Sequence, residues 1–117
     1  MSHTRCSLLR LATMVAVGTV PMAARAPASA QEPSYSMAIH DTHFEPGTLN
    51  VRAGVKFKLV VTNARKVAAE FESPELNREK VVPPGQTVTI YIGPLAPGTY
   101  PFVDDFHQST KGQMIAK

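Results

Sequence analysis

Near its C-terminal end the chain runs Tyr100-Pro101-Phe102-Val103-Asp104-Asp105-Phe106-His107, placing aromatic, acidic and imidazole side chains in close succession. Read as a strand entering a loop, alternate side chains share a face, so Tyr100, Phe102 and Asp104 point the same way. Two large aromatics make that the core face. Asp104 then lies at the mouth of the core, with His107 on the loop just beyond it. A carboxylate so placed must be paired, hydrogen-bonded or neutralised. Carboxylate and imidazole together suit iron, Cu(II) or zinc. The alternative is an acid held by loop N–H groups or paired with His107, Arg78 or Lys80. Asp105 alternates away from Asp104 and joins it only if the loop turns early. Glu70 and Glu72 flank Phe71, so a core-facing Phe71 sends both acids to solvent unless loop curvature brings Glu70 round. His43 adjoins the bend Phe44-Glu45-Pro46-Gly47. His40 lies three residues earlier, on the opposite side of a strand through 36–43, and would not share an ion with His43. The metal-ligand candidates are therefore Asp104, His107, Glu70, Asp105 and His43, with Met37 and Met114 read as core fillers.

The elements that must position these residues are short. Segment 56–62 alternates most clearly, with Phe57, Leu59 and Val61 on one face, and 87–92 repeats the pattern with Val88, Ile90 and Ile92. Further strands are expected at 36–43, 48–51, 70–73, 77–82, 99–104 and 114–116, separated by Pro- and Gly-containing turns. No segment has a helical period. Seven or eight short strands at even spacing predict an all-β, Greek-key β-sandwich. With a turn at 52–54 on one pole, strand 56–62 runs to the other. Loop 63–69 and bend 44–47 then share that far pole. If strand 99–104 also ends there, His43, Glu45, Glu70, Asp104, Asp105 and His107 converge.

Residues 1–30 read as a secretory signal peptide: Arg5 and Arg10 precede an apolar stretch too short to span a bilayer, and Ala28-Ser29-Ala30 is a small-x-small cleavage site. This predicts export to the periplasm, with one small domain over 31–117 and no membrane span in the mature chain. Twelve Lys and Arg, less Arg5, Arg10 and Arg25, leave nine against nine Asp and Glu, so the mature domain carries no net charge. Neither a charge run nor a base-stacking platform argues for nucleic acid. The single cysteine, Cys6, falls in the leader, so no disulfide or thiolate is expected in the domain. There is no phosphate-binding glycine loop and no nucleophile triad in context.

Phe44-x-Pro46, Gly54, the alternating strand to Asn63, and Gly98-x-Tyr100-x-Phe102 through His107 together resemble the cupredoxins, small copper-protein β-sandwiches. Glu70-Phe71-Glu72-Ser73, Leu76 to Lys80, Gly93-Pro94-Leu95 and Phe106-His107 are similar to the EfeO-type cupredoxin-like proteins of bacterial ferrous-iron uptake. That resemblance implies an iron- or copper-binding periplasmic protein beside an iron permease, with ferroxidase activity as its enzymatic version. The chain departs from blue-copper cupredoxins, which carry Tyr-x-Phe-x-Cys-x-x-His. Asp104 stands at the cysteine position and His107 at the histidine position. The earlier histidine position falls at about Ala69 and the methionine position near Gly112. A blue-copper centre needs a thiolate, so type 1 copper is excluded. Two other readings stand beside it: a metal-free accessory module docking on a transport complex, and a periplasmic copper carrier.

Overall fold

The computed structural model describes residues 12–22 and 31–117. Residues 12–22 carry no regular structure and are exposed. The proposed cleavage site at 28–30 lies outside the described residues. From Ser34 onward the chain forms nine strands: β1 (Ser34–Ile39), β2 (Phe44–Glu45), β3 (Thr48–Val51), β4 (Phe57–Asn63), β5 (Ala69–Ser73), β6 (Arg78–Val82), β7 (Thr87–Ile92), β8 (Gly98–Asp104) and β9 (His107–Ala116). They form two sheets, ordered β2-β1-β4-β7 and β3-β9-β8-β5-β6. The expected β-sandwich is what forms. Among the described residues no helix is long and apolar enough to cross a membrane.

Each sheet offers one apolar face because its strands alternate. In β4 every odd position from Phe57 to Asn63 is buried, and in β7 Ile90 and Ile92 are buried. Antiparallel pairing sets Phe57 against Ile92 and Leu59 against Ile90. From the other sheet Phe71, Phe102 and Met114 fill the space between the layers. Phe102 packs edge-on to Phe44, with ring centroids 4.9 Å apart, and lies 5.2 Å from the Phe71 ring. Gly112 makes that packing possible: a Cβ there would come within 2.4 Å of the Phe102 ring and 2.8 Å of the Gly47 carbonyl oxygen.

Two elements differ from expectation. The first strand stops at Ile39 instead of running to His43. Continued alternation would have turned Asp41 and His43 into the core after Met37 and Ile39. The chain bends instead, with the His40 N–H donating to the His43 carbonyl at 2.8 Å. It returns as β2, pairing Phe44 with Ile39 and keeping both buried. The last strand begins at His107, not at 114, so His107 is not on a loop. It closes a two-residue turn opposite Asp104; after an irregularity at 108–110, pairing with β8 resumes at Lys111 opposite Val103 and runs to Ala116 opposite Gly98. The polar run Gln108 to Lys111 looked like loop because that half of β9 shows the core only Thr110.

Candidate metal centre

Asp104 is fully buried, on the same face as Phe102, as alternation required. It is enclosed, however, and not at an open mouth. A register shift between Val103 and Asp104 re-aims the carboxyl group. Its Oδ1 accepts from the Glu70 backbone N–H at 3.0 Å and from the Phe106 N–H at 3.1 Å. Its Oδ2 accepts from Arg65 Nη1 at 2.5 Å. His107 Nδ1 lies 3.0 Å from that Oδ2 and 2.8 Å from Nη1. Nδ1 accepts from the guanidinium when bare and donates to the carboxylate when protonated; it cannot do both.

Arg65 is the residue that sequence reasoning missed. Its side chain is 2 % exposed, and the acid it meets is 0 % exposed. Nε donates to the His40 carbonyl at 2.6 Å and Nη2 to the Thr110 hydroxyl at 2.9 Å. The local signal was Asn63-x-Arg65. The buried Asn63 amide donates to the carbonyls of Val67 and Val82 at 2.8 and 2.9 Å, while its Oδ1 accepts the Arg65 N–H at 2.9 Å. This side-chain turn sends Arg65 inward at the end of β4. Of the alternatives weighed for the acid, a loop N–H and His107 do meet it, whereas Arg78 donates to the carbonyls of Tyr91 and Asn77. Among the described residues no buried side-chain polar atom lacks a partner. A metal held by Asp104 and His107 does not fit here, because a buried guanidinium already occupies the point those two groups face.

Of the five candidates, Asp104 and His107 meet each other, but Glu70, Asp105 and His43 do not join them. Glu70 offers Asp104 its backbone, while its carboxyl group lies with Glu79 on the outer face of the five-stranded sheet. The hydrogen bond to Glu79, then burial and the charges of Glu79, Asp105 and Glu72, raise it from 4.5 to about 7. Glu72 is raised in the same way, first by its hydrogen bond with Asp105. Asp105 thus turns to that outer face, where Gln108 Nε2 donates to it at 3.2 Å.

His43 finds other company. The bend at 40–43 breaks the strand alternation that would have separated His40 from His43, and the two rings stack with centroids 5.0 Å apart. Correcting the expectation of opposite faces, they share one site with Glu45. His40 Nε2 lies 2.8 Å from Glu45 Oε2. One donor atom from each of His40, His43 and Glu45 falls within 4.8 Å of the others, the one such three-residue group among the described residues. Ligands about 2.0–2.2 Å from an ion stand roughly 3–4 Å apart. His43 and Glu45 are exposed and His40 is half-buried, so small side-chain rotations close the difference. They border a shallow depression of about 300 Å³ that also touches Asp41, Thr42 and Ala64. Two imidazoles and one carboxylate are a donor set suited to a divalent transition metal, with positions left for water or another ligand.

A family model described as a cupredoxin-like domain matches residues 11–116. An uncharacterised protein of Rickettsia prowazekii is 40% identical over 74 residues, 63% of this chain and 59% of that protein, so the chain matches well under two thirds of its relative's length. Among solved structures, a reduced auracyanin from Roseiflexus castenholzii superposes with a TM-score of 0.62 at 16% identity, covering 74% of this chain and 98% of the other. The metal-binding domain of the Streptococcus pneumoniae Cu(I)-exporting P-type ATPase CopA, solved with Cu(I), gives 0.61 at 13% identity over 72% and 84%. A reduced amicyanin mutant gives 0.59 at 16% identity over 72% and 82%.

Proposed function

The chain belongs to the cupredoxin-like domain family, and on that premise we propose that it binds a divalent transition metal through His40, His43 and Glu45. The single observation carrying this reading is the grouping of two imidazoles and a carboxylate at the β1–β2 bend. Affinity for nitrogen and oxygen donors peaks at Cu(II) among the first-row divalent ions, so Cu(II) is the tightest ligand expected. Fe(II) is also served by a two-histidine, one-carboxylate set with open positions. Cu(I) is disfavoured, since the bend offers no thiolate or thioether. The structural neighbour crystallised with Cu(I) shares the fold with this chain and lends support to metal handling in general.

We place this activity in the periplasm, reached through the 1–30 leader, and beside an iron permease. That placement rests on the resemblance to EfeO-type proteins of ferrous-iron uptake. Oxidation of Fe(II) is the enzymatic form of the same role. Titration of the 31–117 domain with Cu(II), followed by electron paramagnetic resonance, is expected to show one site with nitrogen ligands. His40→Ala and His43→Ala each remove it. Cu(II) binding unchanged in both variants refutes the reading. For the oxidation step, equal rates of Fe(II) loss with wild type, with His43→Ala and without protein rule out catalysis and leave binding alone.

A further inference from the structure

Four acceptors, one from the β1–β2 bend and three from 104–110, converge on the Arg65 guanidinium. The Asp104 carboxylate and His107 Nδ1 lie 2.5 and 2.8 Å from Nη1, the Thr110 hydroxyl 2.9 Å from Nη2, and the His40 carbonyl 2.6 Å from Nε. Three of these residues are buried almost completely: Arg65 is 4 % exposed, Thr110 1 % and Asp104 0 %. One anionic oxygen, one imidazole nitrogen, one hydroxyl and one carbonyl make a donor set suited to a small metal cation. We propose that this pole is a cation-binding nest in which Arg65 is the resident cation: the protein's own side chain closes the nest to metal, and removing the guanidinium turns it into a divalent-metal site.

A guanidinium suits this position because it spreads its charge over a planar group, is weakly hydrated and presents five donors in a fixed fork. It answers each of the four acceptors with a separate N–H. It also neutralises Asp104 without a bound ion, so the domain folds without metal at this end. An incoming metal would face a fixed positive charge and acceptors already engaged. Once the side chain is truncated, the carboxylate is left buried without its counter-charge, a condition that draws in any cation of suitable size. The His40 contribution is its backbone carbonyl, which survives substitution of the His40 side chain. The nest and the bend site can therefore be tested separately.

The experiment uses His40→Ala/His43→Ala as a background that lacks the bend site, and adds Arg65→Gly to it. Cobalt(II) is the probe, because nitrogen and oxygen coordination gives visible absorption bands. The background is expected to bind none, and Arg65→Gly in that background one equivalent. Adding Asp104→Ala abolishes it. Methylguanidinium is expected to raise the Tm of Arg65→Gly, as a ligand of the folded state does, while urea, of similar shape but neutral, does not. If Arg65→Gly does not fold alone, refolding on addition of cobalt(II) or methylguanidinium supports the proposal. Failure to refold with either overturns it. It is also overturned by a folded variant that binds no cobalt(II), by binding that persists without Asp104, or by equal responses to urea and methylguanidinium. Because the background carries no bend site, failure here leaves Cu(II) binding by the wild-type bend untouched, and the reverse also holds.

Discussion

Replacing Asp104 with alanine separates a structural ion pair from a metal ligand. In wild type the carboxylate is fully buried and meets a guanidinium whose side chain is 2 % exposed. Asp104→Ala leaves that guanidinium buried with neutral partners only, and frees the N–H groups of Glu70 and Phe106 from their acceptor. Breaking a buried pair by removing one partner costs about 3–5 kcal/mol. Residues 31–117 amount to 87 residues, and at about 0.05–0.15 kcal/mol per residue such a domain has roughly 4–13 kcal/mol in total. One kcal/mol moves the Tm of a domain this size by about 4–8 °C, so the variant should melt at least about 12 °C lower. The measurement is thermal unfolding by circular dichroism of the 31–117 domain in excess chelator, where any metal contribution is absent. A metal-binding carboxylate would instead leave metal-free stability unchanged or raised, because its removal relieves an unneutralised charge. The double variant Arg65→Met/Asp104→Leu removes both charges together and should recover most of the loss. A Tm for Asp104→Ala within about 4 °C of wild type, where the expected cost per kcal/mol would amount to no more than one, refutes the ion-pair argument. So does a double variant no more stable than the single one.

Three further outcomes are expected. Folded Glu70 holds its proton up to about 7 against an ordinary 4.5, so between those values the folded state binds more protons than the unfolded one. Stability from this group is full below 4.5 and is lost as pH rises through about 7, and urea midpoints of wild type and Glu70→Gln measured across that window should show the variant losing less. Gly112→Ala drives a methyl group against the Phe102 ring and the Gly47 carbonyl and should cost about 1–3 kcal/mol by denaturant unfolding. His43→Ala should weaken Cu(II) binding by more than the roughly 10–100-fold that loss of an outer-shell partner costs, whereas His107→Ala should leave it within about twofold by competition titration.

Alternation made the sandwich legible: Phe57, Leu59 and Val61 on one strand and Ile90 and Ile92 on another name the buried faces without any partner in view. The same rule placed Asp104 inward behind Phe102, since both facts are local to one strand. The site was less legible. His40 and His43 look incompatible when a strand is drawn through them, and only the return of Phe44 to pair with Ile39 forces the bend that stacks the two rings. Arg65 is separated from Asp104 by 39 positions and from Thr110 by 45, and no periodicity links them.

The sequence alone determined the short strands, the absence of a thiol in the domain, and therefore the exclusion of a blue-copper centre. It also set an acid and an imidazole three residues apart at the end of β8, because side-chain direction within a strand follows from chain geometry. Tertiary structure decided what that pair is for. Strands β1, β4 and β8 end at one pole, where β9 begins, and the cation that reaches Asp104 there belongs to the chain itself. A buried charge takes whichever counter-charge folding delivers to it, and that depends on how strands distant in sequence pack.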